Sequence, residues 1–198
     1  MRGFLRAVKA DLFSRRSRYE FIEWAVRNVP GRMGRYLRYR LLTPWFRKCG
    51  HNVIIREGIR IQEPWLLDMG SDVAIGLMCT LQCGGGLVIE DTVLLGAGVK
   101  IWTTNHVFEN PDRPIREQGL IADSVRIGPD CWIASDVFVK PGTCLPRGTI
   151  VQPMSVVGRL RAPECSVLAG NPAKVLGPRS RVGAFMAWGL TNTRSRSI

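Results

Sequence analysis

The chain holds two histidines, His51 and His106. Histidine titrates near neutral pH, so it is the natural side chain to take a proton from a reacting hydroxyl. His106 ends the stretch Ile101-Trp-Thr-Thr-Asn-His106, and a non-repetitive segment from Val107 to Ser124 follows it. Long excursions from a regular scaffold usually carry function. This one contains Asp112, Arg113, Arg116 and Glu117. Arg113 and Arg116 are its candidate acceptor-binding residues, with a sugar as one acceptor they could hold. Asn105, beside His106, reads equally as a turn former or as a residue that orients the imidazole or contacts the acceptor. His51 follows Cys49-Gly50 and reads as structural.

The elements that must position His106 show themselves as a repeat. An aliphatic residue recurs every six positions: Ile55, Ile61 and Leu67; after a two-residue slip Ile75 and Leu81; after another Ile89, Leu95 and Ile101. Beyond the excursion, Ile127, Ile133, Val139, Leu145, Val151 and Val157 run unbroken. Two residues before each stands a second set, mostly apolar or small, including Val53, Ile59, Trp65, Val73, Cys79, Val99, Cys131 and Val137. A six-residue period is neither helical nor simply alternating. It predicts a short strand, an inward aliphatic side chain and a sharp corner, with three sides closing a triangular coil and about five coils sharing one core. Gly76, Gly96, Gly128 and Gly158 follow inward residues and are expected to supply the corner angles. A β-sandwich would have turns of varying length, which the run from Ile127 to Val157 does not.

The chain has 198 residues, 45% of them hydrophobic, which excludes wholesale disorder. It lacks the ~18 consecutive apolar residues of a membrane-spanning helix. Lys9 and Asp11 interrupt the N-terminal apolar residues, unlike a secretory signal. Six irregularly spaced cysteines do not read as a disulfide scaffold, so free, mostly buried thiols in a reducing cytoplasm are expected. Residues 1–48 carry 13 of the 28 Lys+Arg and only Asp11, Glu20 and Glu23, a net of +10 out of +12. Phe4, Leu5, Val8 and Leu12, then Phe21, Ile22, Ala25 and Val29, fall at helical spacing. Pro30-Gly31 breaks that pattern, Gly34 to Phe46 resumes it, and Pro44 ends or kinks it. This segment either lies on an anionic membrane or packs on the main domain with a solvated basic face. The expected divisions are a basic helical segment over 1–48, a repeat domain over 49–178 and a loosely ordered tail over 179–198.

The Ile-Gly-x-x-x-x hexapeptides, Ile127-Gly-Pro-Asp-Cys-Trp-Ile-Ala-Ser135, Lys140-Pro-Gly142 and Leu168-Ala-Gly-Asn-Pro-Ala-Lys-Val-Leu176 resemble the hexapeptide-repeat acyltransferases. The nearest branch is that of the sugar and polysaccharide O-acetyltransferases, which includes maltose and galactoside acetyltransferase. The resemblance covers roughly residues 50–178. It implies a mainly β fold, a left-handed parallel β-helix behind the helical segment, and a homotrimer with its active site between subunits. It also implies acetyl-CoA as donor, a carbohydrate hydroxyl as acceptor and no metal. A hydroxyl attacking a thioester needs one base and a backbone N–H for the oxyanion, and a thiolate leaves with little acid assistance. The resemblance puts His106 in the general-base position and Trp132 on the wall of the acyl channel near it. Ser135, Pro153, Gly158, Arg159 and Lys174 fall on the coenzyme A side, with Arg159 and Lys174 able to reach its phosphates. Two departures stand out. Gln152-Pro-Met-Ser155 and Gly158-Arg159 replace the usual Gly-Ala-Gly-Ser and Thr-Lys, and Cys83-Gly-Gly-Gly86 lacks the acidic acceptor-binding residue of the small-sugar enzymes. A different, larger acceptor is implied.

Other readings are an inactive β-helix scaffold or binding protein, and an acyltransferase using a non-acetyl donor or an amine acceptor. A γ-type carbonic anhydrase needs three histidines around a metal, and this chain has two. The net charge prompts nucleic-acid binding, but its aromatic-laced helical segment carries no nucleic-acid motif.

Overall fold

The computed structural model describes residues 13–181. From Lys48 onward short parallel strands fall into three sheets. Sheet A contains β1 (Lys48–Cys49), β4 (Leu67–Met69), β7 (Leu87–Ile89), β12 (Val125–Ile127) and β15 (Cys144–Leu145). Sheet B contains β2 (Ile54–Ile55), β5 (Ala74–Ile75), β8 (Leu94–Leu95), β13 (Trp132–Ile133), β16 (Ile150–Val151), β18 (Ser166–Gly170) and β19 (Ala173–Pro178). Sheet C contains β3 (Arg60–Gln62), β6 (Thr80–Gln82), β9 (Lys100–Trp102), β14 (Phe138–Val139) and β17 (Val156–Val157). The chain visits B, C and A in turn and then repeats, which makes a three-sided parallel β-helix.

Stacking follows from the period. Ile55, Ile75, Leu95, Ile133, Val151 and Leu168 pair in one column. Ile61, Leu81, Ile101, Val139 and Val157 form a second, and Met69, Ile89, Ile127 and Leu145 a third. The six inward residues from Ile127 to Val157 are at most 1% exposed. Each coil receives the backbone hydrogen bonds of the one before, as when Ala74 N donates to Val93 O (3.0 Å) and Gly76 N to Leu95 O (2.8 Å).

Three details differ from the sequence reading. The partner of Ile89 is Met69, while Leu67 pairs with Leu87. The first two-residue slip therefore lies before Met69, in a 3-10 turn over Pro64–Leu66 that buries Pro64 and leaves Trp65 half-buried. Gly76, Gly96 and Gly128 do not have positive φ. Their role is close approach: a Cβ on Gly76 would stand 2.5 Å from the backbone of Gly96 in the next coil. The left-handed corner positions are instead held by residues such as Asp72, Met78, Thr92, Asp130, Asp136 and Met154. Finally, only three of the six cysteines, Cys79, Cys83 and Cys131, are buried; Cys144 and Cys165 are exposed.

Two helices, α1 (Arg15–Arg27) and α2 (Gly31–Leu42), close the N-terminal end of the solenoid. The buried face of α1 is Tyr19, Glu23 and Val26, and Phe21 and Ala25 face outward; α2 buries Gly34, Arg38 and Leu42. The first coil has no earlier coil to complete its strands, and side chains do so instead. Glu23 Oε1 accepts from Ile61 N (2.6 Å). Arg38, fully buried, donates through Nε to Ile55 O (2.9 Å) and through one terminal nitrogen to Val26 O (3.0 Å) and Val29 O (2.7 Å), and its other terminal nitrogen lies 3.4 Å from Glu57 Oε1. At the far end, β18 and β19 form an antiparallel hairpin on sheet B. Of the expected tail, Arg179 N donates to Cys165 O (2.6 Å) and its guanidinium reaches Asp130 (2.9 Å). Residues 182–198, and the helical spacing read over Phe4 to Leu12, lie outside the described residues.

Arg38→Met should destabilise the fold by about 3–5 kcal/mol, since it strands carbonyls of α1, of the turn between the helices and of the first coil; denaturant unfolding measures it. Burial, ahead of its favourable contacts with Ile61 N–H and Arg27, holds the Glu23 carboxyl above its ordinary 4.5. A raised folded-state pKa means that ionisation costs the folded state. This contribution is therefore full below about 4.5 and is lost as pH rises through the raised value. Glu23→Gln keeps an acceptor for Ile61 N–H, so its stability should fall less than wild type across that window in melts taken as a pH series.

Candidate active site

Each coil must turn from sheet C to sheet A, and this corner is the one that varies. It holds the Pro64–Leu66 turn in the first coil and Cys83-Gly-Gly-Gly86 in the second. In the third it grows into the whole excursion between β9 and β12. That excursion is more ordered than a loop. β10 (Thr104–His106) pairs antiparallel with β11 (Leu120–Ala122), and Val107 N donates to Gly119 O (3.1 Å). The tip is self-braced: Gln118 Nε2 donates to Asn110 O and Arg113 O (both 2.8 Å), and Asn110 N donates to Gln118 Oε1 (3.0 Å).

His106 stands exposed at the end of β10, opposite Leu120. Asn105 Oδ1 accepts from His106 N (3.0 Å), so this side chain fixes the backbone at the histidine. Arg113 donates to Glu117 O (2.8 Å), and Arg116 lies 3.8 Å from Glu117 on the open surface. Both arginines thus sit on the hairpin tip. His51, as a structural histidine would, places Nδ1 3.0 Å from Ser71 Oγ in the neighbouring coil.

The base of the hairpin is held by residues that the repeat does not single out. Gln82 Oε1 accepts from Thr103 N (3.2 Å) and Thr104 N (3.0 Å), standing in for a strand where β10 leaves the solenoid. Thr103 Oγ1 donates to Gln82 O (2.8 Å) and accepts from Gly85 N (2.8 Å). A Cβ on Gly85 would stand 2.2 Å from Thr103 O, which requires glycine there. Asp123 closes the other leg: its N–H donates to Thr103 O (2.8 Å), its carbonyl accepts from Gly142 N (3.2 Å), and its carboxylate pairs with Arg159. The Gly triplet is the available signal in the sequence. The side-chain work of Gln82 and Asp123 depends on stacking and leaves no mark there.

The other expected site residues fall into two groups. Gly158 and Arg159 share the C-to-A edge with His106. With Lys140, Pro141 and the Asn171-Pro172 turn they line a groove of about 420 Å³. Lys140 and Arg159 make it cationic, which suits phosphate oxygens. Trp132 faces outward from sheet B, 48% exposed. Ser135 and Pro153 lie on the B-to-C corners, stacked through Met154 N donating to Ser135 O (3.0 Å). Met154 keeps the left-handed corner (φ 58°) and points its bulk into solvent, so Gln152-Pro-Met154 leaves the scaffold intact. Lys174 pairs with Ala169 in the terminal hairpin. One chain therefore does not bring Trp132 to His106, because they occupy different sides of the prism.

A cysteine nucleophile finds no support in the core. Burial pushes the Cys79 and Cys131 thiols up to about 11 and Cys83 higher still, so none offers a thiolate near neutrality. No cluster of metal-ligating side chains occurs among the described residues.

Among known proteins, no family model matches the chain. WcaF of Escherichia coli K12, whose name assigns it to colanic acid biosynthesis as an acetyltransferase, is 31% identical over 160 residues, 79% of this chain and 85% of WcaF. Rv3034c of Mycobacterium tuberculosis H37Rv, named as an acetyltransferase, is 30% identical over 185 residues, 78% of this chain and 61% of its own length. In fold, the chain resembles a maltose O-acetyltransferase from Clostridium difficile 630 (TM-score 0.69, 24% identity, 82% of this chain and 85% of that one). It also resembles a galactoside acetyltransferase solved with coenzyme A (TM-score 0.66, 21% identity, 82% and 80%). A three-sided β-helix of stacked six-residue repeats, together with the identity to WcaF, makes this chain a member of the hexapeptide-repeat acetyltransferases.

Proposed function

We propose that this acetyltransferase moves an acetyl group from acetyl-CoA to a hydroxyl of a sugar or polysaccharide precursor, with His106 as general base. The observation that carries this reading is the placement of His106: solvent-facing, on a braced hairpin, and linked through Asp123 and Arg159 to the cationic groove. In the reaction, His106 takes the proton of the acceptor hydroxyl as its oxygen attacks the thioester carbonyl. The tetrahedral intermediate collapses, the carbon–sulfur bond breaks, and the coenzyme A thiolate recovers the proton from the imidazolium. Lys140 and Arg159 suit the donor phosphates, and Lys174 lies on the same end of the solenoid. Arg113 and Arg116, on the hairpin tip, would meet the acceptor. The name of WcaF and the absence of an acidic residue in Cys83-Gly-Gly-Gly86 favour a polysaccharide precursor over a small sugar. An acetyl-CoA donor fits work in the cytoplasm.

We further infer a homotrimer with the site between subunits. The outward column of sheet B is Ile54, Ala74, Leu94, Trp132 and Ile150, entirely apolar, with Leu94 51% exposed. An apolar strip of this length on one chain favours burial against a second. A neighbour's C-to-A edge laid along it would bring Trp132 and Ser135 of one subunit to His106 of the next.

His106→Ala should lower kcat by roughly 10²–10⁴-fold, the range for losing a general base, with coenzyme A affinity nearly unchanged; near-normal turnover would overturn the assignment. Gln82→Leu should lower kcat by about tenfold or more without moving the Kd for coenzyme A, and Gln82→Glu, which keeps the acceptor oxygen, should recover part of the loss. Leu94→Arg should give monomers by light scattering and abolish transfer, and a fully active monomer would refute the shared site.

A further inference from the structure

We propose that the helical end of the solenoid is a docking plate for an anionic lipid surface. The proposal does not rest on the acetyl-transfer reading. α1 and α2 lie across the first coil with their inner faces spent on Tyr19, Glu23, Val26, Gly34, Arg38 and Leu42. Their outer faces carry Phe21 (58% exposed), Trp24 (72%), Met33 (65%) and Tyr36 (63%), and Phe13 (84%) stands just before α1. The core does not account for these large apolar and aromatic side chains, because both helices already bury a full face. Aromatic residues of this kind favour the headgroup boundary of a bilayer, where the ring is apolar on one side and wet on the other.

Charge identifies the surface. Arg18, Arg32, Arg35 and Arg40 have no ion-pair partner among the described residues. The two carboxylates of the helices are already engaged. Glu23 is buried against Ile61 N and Arg27, and Glu20 pairs with Arg16 (2.8 Å). The plate therefore has spare positive charge and no spare negative charge. The prism side formed by sheet A is different, because it carries paired charge, Arg47–Asp68 (2.7 Å) and Arg126–Glu90 (2.6 Å), beside Lys48. Arginines around protruding aromatics match a sheet of lipid phosphates. A nucleic acid would be served by a basic groove, and a second copy of this equally basic plate would be repelled. The solenoid axis runs outward from the plate, so lipid contact there leaves the His106 corner on the flank, open to an acceptor held at the same surface.

The test uses full-length protein and vesicles of phosphatidylcholine with and without phosphatidylserine. The protein should sediment with the anionic vesicles at low salt and be released by high salt. Phe21→Ala with Trp24→Ala should weaken sedimentation roughly tenfold or more while acetyl transfer to a soluble acceptor stays at the wild-type level. Arg32→Gln with Arg40→Gln should remove most of the dependence on phosphatidylserine, at roughly fivefold per arginine. All four side chains are exposed, and unchanged thermal melts will show that the variants fold. The proposal is overturned if the protein sediments with neither vesicle or equally with both. It is also overturned if the aromatic pair changes the oligomeric state in place of lipid binding, which would make the plate a subunit contact. Salt-sensitive binding to duplex DNA or RNA without vesicle binding would overturn it in favour of a nucleic acid.

Discussion

A short parallel strand has no hydrogen-bonding partner in its own coil. Its N–H and C=O groups are satisfied only by the coils on either side, and everything else in this protein follows from that dependence. It fixes the six-residue spacing, because each inward aliphatic must stand over the one before it. It demands glycine where one backbone crosses close above another, as at Gly76 and Gly96. It also leaves two raw ends. The first is sealed by a carboxylate and a guanidinium, Glu23 on Ile61 N and Arg38 on Ile55 O, and the last by the β18–β19 hairpin. Buried charge is expensive, and here it is used where no strand is available to do the same work.

The same dependence explains why the candidate site lies at one corner. A residue inside a strand is committed to its neighbours above and below. Only a corner can lengthen without breaking a column, and the C-to-A corner does so in three successive coils. The third extension departs so far that it needs its own pairing, β10 with β11. Its root still has to be reconciled with the stack, and Gln82 does this by presenting one carboxamide oxygen to two consecutive N–H groups. The position of the exposed imidazole is thus set from two coils at once.

The repeat makes the solenoid legible, since few folds besides a stacked coil place Ile, Leu and Val at a constant spacing of six. The unbroken run from Ile127 to Val157 reads in its true register. The third side of the first coil reads two residues out, because Leu67 and Met69 are both buried and the period alone does not choose between them. The histidine at the end of the repeat is legible for the same reason: regularity makes its own interruption conspicuous. The hairpin that carries His106 is not, because three-residue strands beside Pro111 and Pro114 give no periodic signal. The buried face of α1 is also hidden. Spacing favours Phe21 and Ala25 for the inside, whereas the solenoid end needs a carboxylate and draws Glu23 inward. Pairings between side chains and distant backbone, such as those of Gln82, Asp123 and Arg38, depend on which coil lies over which and leave no local trace.

The helical cap has a consequence for how the molecule comes into being. Ile55 pairs with Ile75, and Ile133 with Val151, so most contacts in the solenoid reach back by only about twenty residues. Contacts this local close quickly. The cap also leaves the ribosome before the solenoid does. Once Arg38 and Glu23 have received the first coil, every later coil finds a finished template already waiting, and the chain can assemble in the order in which it is synthesised.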